Sequence, residues 1–270
     1  MSLPAPSALP TVALTIAGSD SGGGAGIAAD LETFAALGVF GTVAITAITA
    51  QNTEKVTAIQ VLPTDIVEAQ LEAVIDDLPV QSTKSGMLAS EETVELVADW
   101  ARAGRLPLLV VDPVIVATAG ALLLDPGARS ALLRLVASAH IVTPNVPEAE
   151  VLLQRQITDV AAMHEAARAL CDLGTEVAVV KGGHLHTPDA VDVICVAGET
   201  TELRAPRIDT ANTHGTGCTL SAAICANLAL GRGDLEAISA AKSFVHDAIA
   251  RSREWHLGAG PGPIDHLGRL

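Results

Sequence analysis

The sequence VALTIAGSDSGGGAG at residues 12–26 contains the pattern that decides the fold. Residues 12–16 are apolar or β-branched, as in a short buried strand, and the glycine-rich run after them leads into a helix. Consecutive glycines let a backbone approach a ligand closely and offer free N–H groups. This segment, the first glycine loop (residues 18–26), lacks the Gly-Lys-Ser/Thr of a P-loop and the GxGxxG spacing of dinucleotide-binding proteins. It predicts either a ligand-binding loop or a flexible turn that begins a helix.

The same alternation of strand and helix continues along the chain. Further buried strands are predicted at residues 43–48, 108–111, 141–143 and 177–180. Helices are predicted at residues 64–78 and 90–104, and a hairpin at the edge of a sheet at residues 191–196 and 201–204. Thr64 is the expected N-cap of the first of these helices, and Gly104 suits the left-handed position after the second.

Strand–helix alternation of this kind predicts an α/β fold, with a mostly parallel central sheet and helices on both faces. No internal repeat or linker divides the 270 residues, so we predict one domain over residues 1–270. Three prolines and no positive charge predict that residues 1–10 form a flexible arm rather than a signal peptide. Ligands in such sheets bind at the carboxyl ends of the strands, where the informative residues of this sequence lie.

Composition excludes several classes of function. Hydrophobic residues make up 49% of the chain and aromatic residues 2%, which argues against a platform for stacking nucleic-acid bases. A net charge of −15 repels phosphate backbones and anionic membranes, so we predict no nucleic-acid partner and no membrane partner. The four cysteines show neither a CxxC pair nor zinc-ligand spacing, which predicts reduced thiols and a cytoplasmic location.

A second glycine-rich segment, THGTGCT, is called the second glycine loop (residues 213–219) and precedes a helix predicted at residues 220–230. Glycines before a helix start gather free N–H donors and the positive end of the helix dipole, which suits a phosphate group. The same donors can stabilise a phosphoryl group in transfer. Cys218 falls in the first turn, where this field is expected to lower the pKa of its thiol. Spacing alone allows an alternative, a packing helix with a buried cysteine.

Polar residues follow three other predicted strands. Asn145 and Glu148 can be interpreted in two ways, because Glu148 could hold Mg²⁺ through water or could close a capping box with Asn145. Spacing does not decide between them. Lys181 follows the strand at residues 177–180 beside two glycines, where it could meet phosphate oxygens or could simply be a solvated turn residue. Asp112 ends another strand, as an active-site group or as a turn residue.

Taken together, these motifs resemble the hydroxymethylpyrimidine and phosphomethylpyrimidine kinases of thiamine biosynthesis, a branch of the ribokinase-like family. The resemblance extends from residue 14 to about residue 266 and includes LTIAGSD at 14–20, GGAGI at 23–27, TAQNT at 49–53, GML at 86–88, DPV at 112–114, TPN at 143–145, KGGH at 181–184 and NTHGTGCTLSAA at 212–223. It implies a ribokinase-like kinase that uses ATP and Mg²⁺. The implied acceptors are 4-amino-5-hydroxymethyl-2-methylpyrimidine and its monophosphate.

The resemblance also implies roles for individual residues. The anion hole around the γ-phosphate in transfer would comprise Gly215, Thr216, Gly217 and Cys218. The residues that contact ATP would be Lys181, Asn145 and Asp112, and Glu148 would hold Mg²⁺ through water. The pocket for the pyrimidine ring would be lined by Gln51, Gly18, Asp30, Met87 and Val114. Its partners would be the small-molecule pyrimidine and, because dimers are usual among such kinases, a second copy of the chain.

Two other functions fit the same pattern. A pyridoxal or pyridoxine kinase also phosphorylates a hydroxymethyl group on a six-membered heteroaromatic ring. Gln51 favours an aminopyrimidine over that vitamin, because a buried amide left unpaired penalises a ring without matching partners. The second alternative is a catalytically silent ligand-binding module. For Cys218, the sequence leaves open whether the thiolate is a general base or only part of the anion hole.

Overall fold

The computed structural model describes residues 9–116, 123–124, 126–185 and 187–268, and its centre is an eight-stranded sheet. In chain order the strands are β1 (Val12–Ala17), β2 (Phe40–Ile45), β3 (Ala47–Gln51), β4 (Val56–Val61), β5 (Val80–Ser85), β6 (Val110–Val111), β7 (Ile141–Val142), β8 (Val177–Lys181), β9 (Asp189–Val196) and β10 (Glu199–Pro206). The order in the central sheet is β10-β9-β8-β7-β6-β5-β1-β2, and β3 pairs with β4 in a separate sheet. The strands from β2 to β8 in this order are parallel, and β9 and β10 are antiparallel.

Helices cover both faces of the sheet. They are α1 (Gly26–Ala36), α2 (Thr64–Ile75), α3 (Glu91–Arg102), α4 (Arg129–Ala137), α5 (Val146–Leu153), α6 (Val160–Asp172), α7 (Thr216–Ala229) and α8 (Asp234–Arg251). Leu14 and Ile16 of β1 pack in a core with residues of α3 to α6, whereas Ala13 packs in a second core with residues of α1, α7 and α8. Alternate side chains of one strand therefore enter opposite cores. The predicted fold class is confirmed.

Two of the predicted strands differ from the observed ones. The strand predicted at residues 43–48 is divided at Thr46, whose hydroxyl donates to the carbonyl of Met87 (2.6 Å). The chain leaves the central sheet there and enters the two-stranded sheet. Leu108, expected to begin a strand, has a φ of +42° and is 40% exposed, so β6 begins only at Val110. A left-handed residue cannot continue an extended strand.

The helix and hairpin predictions are confirmed with one change. Thr64 is the first residue of α2 and its side chain caps nothing, because Pro63 occupies the N-cap position. Gly104 has the predicted left-handed conformation, with a φ of +70°. The hairpin β9–β10 lies at the sheet edge and turns at Ala197 and Gly198, which both have positive φ, as a two-residue hairpin turn requires.

β5 was not predicted, because its sequence VQSTKS has no apolar run. It nevertheless lies inside the sheet between β1 and β6, and its last four side chains are buried polar ones. Residues 1–8 of the predicted arm lie outside the described residues. None of the helices in the described ranges has both the length and the apolar character that crossing a bilayer requires.

Candidate active site

Asp20 organises the first glycine loop. Its Oδ1 accepts the N–H of Gly22 (2.8 Å), its Oδ2 accepts the N–H of Ala25 (3.0 Å), and its carbonyl accepts the N–H of Gly23 (3.0 Å). Burial by itself raises the pKa of Asp20, but the hydrogen bond with His214 and the loop N–H groups outweigh it and lower this pKa. The loop is therefore held around a carboxylate rather than being a flexible turn.

The two glycine loops are in direct contact. His214 Nε2 lies 2.8 Å from Asp20 Oδ2, and both side chains are buried. A Cβ atom at Gly24 would lie 2.6 Å from the His214 ring, and one at Gly215 would clash with the Gly24 carbonyl oxygen. Gly215 also has a φ of +83°. These glycines therefore allow two backbones to meet, which brings Asp20 and His214, 194 positions apart in the sequence, to one site.

The second glycine loop leads into α7 at an open helix start. Gly215 is the N-cap of α7, and the N–H groups of Gly217 and Cys218 make no hydrogen bond to another described residue. A Cβ at Gly217 would lie 3.3 Å from Nζ of Lys181. Free N–H donors, the positive end of the helix dipole and an ammonium group thus converge on one point, as an anion site requires.

The expected low pKa of the Cys218 thiol is wrong. Burial raises this pKa to about 11, and the nearby carboxylates of Asp30 and Asp112 act in the same direction. The positive charge of Lys84 and the N–H of Gly26 oppose this effect without overcoming it. Desolvation in an enclosed corner is stronger than the field of one helix turn. The thiol is therefore protonated at neutral pH.

Lys181 is part of a cluster with two carboxyl groups. Its Nζ donates to Asp112 Oδ1 (2.8 Å), and Asp112 also accepts the hydroxyl of Thr143 (3.3 Å). Burial by itself lowers the pKa of Lys181, but the carboxylates of Asp112 and Glu148 outweigh it and keep the ammonium charged. Burial raises the pKa of Glu148 to about 7 even though Lys181 opposes the shift. Lys181 is thus not a solvated turn residue.

Asn145 and Glu148 form the capping box of α5. Asn145 Oδ1 accepts the N–H of Glu148 (2.9 Å), and Glu148 Oε2 accepts the N–H of Asn145 (2.8 Å). This confirms one of the two interpretations that spacing allowed. Both side chains also line the cavity described next, so the second interpretation, in which Glu148 holds Mg²⁺ through water, stays a prediction.

A cavity of about 810 Å³ connects these groups. The predicted site residues that line it are Gly18, Gln51, Met87, Asp112, Val114, Asn145, Glu148, Lys181, Gly215, Thr216, Gly217 and Cys218. Its volume is near the upper end of the range for small-molecule sites, which leaves room for a nucleotide and a small ring together.

Asp30 is the predicted site residue that does not line this cavity. Its carboxylate is fully buried in α1, where it pairs with Nζ of Lys84 through both oxygens (2.8 and 3.0 Å) and accepts the hydroxyl of Thr15 (2.6 Å). The assignment of Asp30 to the ring pocket is therefore wrong, because its acceptor positions are already occupied inside the protein. Lys84 lines the cavity in its place.

A family model described as phosphomethylpyrimidine kinase matches residues 20–265, which include most of the first glycine loop, the whole second glycine loop and Lys181. The chain belongs to the phosphomethylpyrimidine kinase family. The predicted resemblance is confirmed.

Relatives and solved structures agree with this membership. The hydroxymethylpyrimidine/phosphomethylpyrimidine kinase of Rhizobium meliloti is 49% identical over 261 residues, covering 96% of this chain and 97% of the relative. The phosphomethylpyrimidine kinase of Clostridium difficile superposes with a TM-score of 0.77 and 41% identity over 88% of this chain and 99% of that one. Pyridoxal kinase of Bacillus subtilis, in an ADP complex, gives a TM-score of 0.88 and 39% identity over 95% and 97%.

Sequence reasoning missed three residues of this phosphomethylpyrimidine kinase site. The contact between Asp20 and His214 joins the two glycine loops, and Lys84 places a buried charge at the cavity wall. Asp20 and His214 were visible as a carboxylate and an imidazole inside two glycine-rich motifs, and that coincidence was a usable signal. Lys84 gave none, because a lysine in a polar hexapeptide is typical of an exposed segment.

Proposed function

We propose that this chain transfers the γ-phosphoryl group of ATP to the hydroxymethyl oxygen of 4-amino-5-hydroxymethyl-2-methylpyrimidine, and then to the resulting monophosphate, for thiamine diphosphate biosynthesis. In each step the bond between the γ-phosphorus and the β–γ bridging oxygen breaks, and a new P–O bond to the acceptor forms. The first step releases the hydroxyl proton. The second acceptor is a phosphate monoester that is mostly a dianion at neutral pH, so it needs little deprotonation.

One observation carries this proposal. The open start of α7 lies within one cavity with the first glycine loop and with the ammonium of Lys181. Phosphoryl transfer depends mainly on positioning and on neutralising the charge of the transferring group. The free N–H groups of Gly217 and Cys218 would surround that group, and Lys181 would bridge the phosphates of the nucleotide. Asn145 has its amide oxygen occupied in the capping box, which leaves its NH₂ group as a donor to phosphate.

The opposite side of the cavity suits a flat polar ring. The main chain of Gln51 is bonded in both directions to the hydroxyl of Ser21 (2.7 and 2.8 Å), and its side-chain amide is left for a ligand. A Cβ at Gly18 would lie 2.9 Å from the sulfur of Met87, so a larger residue there would displace the pocket wall. The amide of Gln51 would pair with a ring nitrogen and the exocyclic amine, and Met87 and Val114 would contact the ring.

Magnesium fits the donors on the nucleotide side. Glu148 and Asp112 supply carboxylate oxygens beside Lys181, and hard cations prefer such ligands. No group of three or more His, Cys, Asp or Glu side chains arranged for a metal occurs in the described ranges. This agrees with an ion that takes one or two carboxylates together with water and substrate phosphates. When bound, Mg²⁺ would neutralise charge on the triphosphate. The cytoplasmic location and the homodimer stay predictions.

A pyridoxal kinase activity is the second candidate. It is supported by the overlay on the Bacillus subtilis pyridoxal kinase, whose TM-score exceeds that for the Clostridium difficile phosphomethylpyrimidine kinase. The amide of Gln51 favours the aminopyrimidine, since pyridoxal offers no exocyclic amine to pair with it. The two activities share the phosphate side of the cavity, so they can be separated only on the side of the acceptor.

A coupled assay of ADP release with four acceptors tests the proposal. The acceptors are hydroxymethylpyrimidine, its monophosphate, pyridoxal and pyridoxine. We expect kcat/KM for both pyrimidines to exceed that for either vitamin by at least about 10-fold, the scale of one unpaired polar contact. Turnover with the vitamins alone would replace the pyrimidine assignment by the second candidate. A chain that binds these compounds without releasing ADP with any of them would be a silent binding module.

A further inference from the structure

Lys84 is a charged residue that the proposed phosphoryl transfer does not yet use. Its side chain is 0% exposed, and its Nζ is bonded to both oxygens of Asp30, which is equally buried. Charged side chains are seldom buried this deeply, and a buried ion pair can be replaced by apolar residues without loss of stability. Packing therefore does not explain why lysine is present at the end of β5.

Lys84 is the member of this pair that borders the cavity. It is one of the residues of the cavity wall, whereas Asp30 is not. A Cβ at Gly86 would lie 2.7 Å from Lys84 Nζ, which places the ammonium beside Gly86, the residue before Met87 of the ring pocket. Lys84 is also close enough to Cys218 at the start of α7 for its positive charge to act on the pKa of that thiol, which it lowers. The positive end of the pair thus lies between the ring pocket and the anion hole.

The acceptor would occupy the region between the ring pocket and the anion hole. A ring held at Gly18 and Met87 would direct its reacting group toward the start of α7, and Lys84 borders the same cavity. The group is a neutral hydroxymethyl in the first transfer and a phosphate with a charge of about −2 in the second. In the second transfer, two phosphate groups of like charge must approach each other. A positive charge on the side of the acceptor reduces this repulsion.

The other cations around the cavity are engaged elsewhere. Lys181 pairs with Asp112 on the nucleotide side (2.8 Å). Lys242 pairs with Asp192 at the distant end (2.7 Å), and Arg207 there donates to backbone carbonyls. Among the lysines and arginines of the described ranges that line the cavity, this leaves Lys84 on the side of the acceptor. Because its surroundings exclude water, its field is weakly screened.

We propose that Lys84 determines whether the phosphorylated pyrimidine is accepted: its ammonium, held by Asp30 beside the cavity, stabilises the phosphate of the monophosphate acceptor. The uncharged hydroxymethyl acceptor depends on it much less. This inference rests on the proposed function and adds to it a residue that separates the second transfer from the first.

The test compares two variants that treat the ion pair differently. D30N keeps the lysine but leaves it buried without its carboxylate, whereas the double variant D30N/K84M removes both charges and so leaves neither group unpaired. Each is assayed for kcat/KM with hydroxymethylpyrimidine and with its monophosphate. Binding of the two pyrimidines without ATP is measured by calorimetry. We expect D30N to shift the ratio of the two acceptors in the same direction as the double variant but by less, because burial is no longer opposed by Asp30 and lowers the pKa of Lys84. We expect D30N/K84M to lose about 10²-fold in affinity and kcat/KM for the monophosphate, and less than about 10-fold for the hydroxymethyl compound.

Each outcome decides the inference separately from the proposed function. Wild-type protein that phosphorylates neither pyrimidine overturns the proposed function. Wild-type protein that phosphorylates both, beside a double variant whose acceptor ratio and monophosphate affinity are unchanged, overturns only the role of Lys84. An equal loss for both acceptors also overturns it, since a merely structural pair would act that way. If circular dichroism shows the double variant to be unfolded, D30N/K84Q, which retains a polar side chain, takes its place in the same comparison.

Discussion

Two lysine–aspartate pairs at the carboxyl edge of the sheet differ in what surrounds them. The outer pair, Lys181 and Asp112, has both members on the cavity, and the Lys181 side chain is 13% exposed. The inner pair, Lys84 and Asp30, is 0% exposed at both side chains. Asp112 has further donors in the hydroxyls of Thr143 and Ser221 (3.3 Å each), so it stays bonded if Lys181 turns away.

A lysine–aspartate pair can thus serve two purposes, depending on how deeply it is buried. The outer pair lies where a phosphate could take over the ammonium of Lys181, so its lysine can act as a ligand for nucleotide. The inner pair cannot exchange its partner, so Lys84 acts as a fixed charge. Loss of a member should therefore cost mainly stability in the inner pair and mainly activity in the outer pair.

The largest effect is expected from a change in the inner pair, and it concerns the stability of the protein. K84M leaves the Asp30 carboxylate buried without a cation and should lower the free energy of unfolding by about 3–5 kcal/mol. The double variant D30N/K84M should recover most of that loss, because no unpaired charge remains. Urea unfolding followed by circular dichroism measures both. If K84M unfolds at the wild-type urea concentration, the inner pair is not the fixed buried charge described here.

Removal of the outer lysine should affect activity instead. K181M is expected to lower kcat/KM for ATP by about 10² to 10³-fold, the usual cost of losing one preorganised donor to the transferring group. Its free energy of unfolding should change less than that of K84M, because Thr143 and Ser221 still bond Asp112. The matched control is K55M, at an exposed lysine away from the cavity, which should stay within about twofold of wild type. Equal kinetics in K181M and K55M would remove Lys181 from the site.

The two pairs also mark the limit of sequence reasoning. Lys181 was found because it follows the apolar run at residues 177–180, a pattern that identifies a buried strand and its carboxyl end. Lys84 lies in VQSTKS, where nothing indicates burial until Asp30 and Thr15 are known to face it. Such partners come from tertiary packing across 54 or more residues, which no local pattern encodes.

The same limit explains the error about Cys218. The spacing of glycines correctly located the start of α7 and hence the first-turn position of the thiol. Its pKa, however, depends on how completely the surrounding elements exclude water and on charges from Lys84, Asp30 and Asp112. The distances from the thiol to these charges, and its burial, are established only when the chain folds. The sequence therefore predicted the position of the site and most of its lining, and misjudged the charge state inside it.

A third prediction concerns the thiol of Cys218. With a pKa of about 11, Cys218 is a thiolate in only about one molecule in 10⁴ at pH 7, and that fraction rises tenfold per pH unit. If the thiolate takes the hydroxyl proton, kcat for the hydroxymethyl acceptor should rise between pH 7.5 and 9.5. This range lies above the pKa of Glu148, about 7. C218A should lose about 10²-fold in kcat and the rise with pH, while ATP still binds.

The monophosphate acceptor provides the control for that experiment. Its phosphate is already deprotonated above pH 7, so its rate should be nearly independent of pH in wild-type protein and should fall less in C218A. Parallel pH profiles for C218A and wild-type protein with the hydroxymethyl acceptor would show that Cys218 belongs to the anion hole only. An unchanged kcat in C218A would remove Cys218 from the mechanism altogether.

The smallest expected effect lies beside the inner pair, at Thr83 of β5. Its hydroxyl is buried and has no hydrogen-bond partner in the described part of the chain, in contrast to the fully bonded ammonium of Lys84 next to it. T83V keeps the β-branched shape and removes the unpaired hydroxyl, so it should raise the free energy of unfolding by about 1 kcal/mol. Thr42 is the matched control, because its buried hydroxyl donates to the carbonyl of Ala13 (3.0 Å).

The two threonines should respond in opposite directions. T42V removes a hydrogen bond that is made, leaves a buried carbonyl with one donor fewer, and should lower the free energy of unfolding by about 1 kcal/mol. Urea unfolding of T83V and T42V under identical conditions gives the sign of each change. A loss of stability in both would mean that the Thr83 hydroxyl does have a partner, such as an internal water. Thr83 and the inner pair would then belong to one bonded network on β5, and the inner pair would not be an isolated charge.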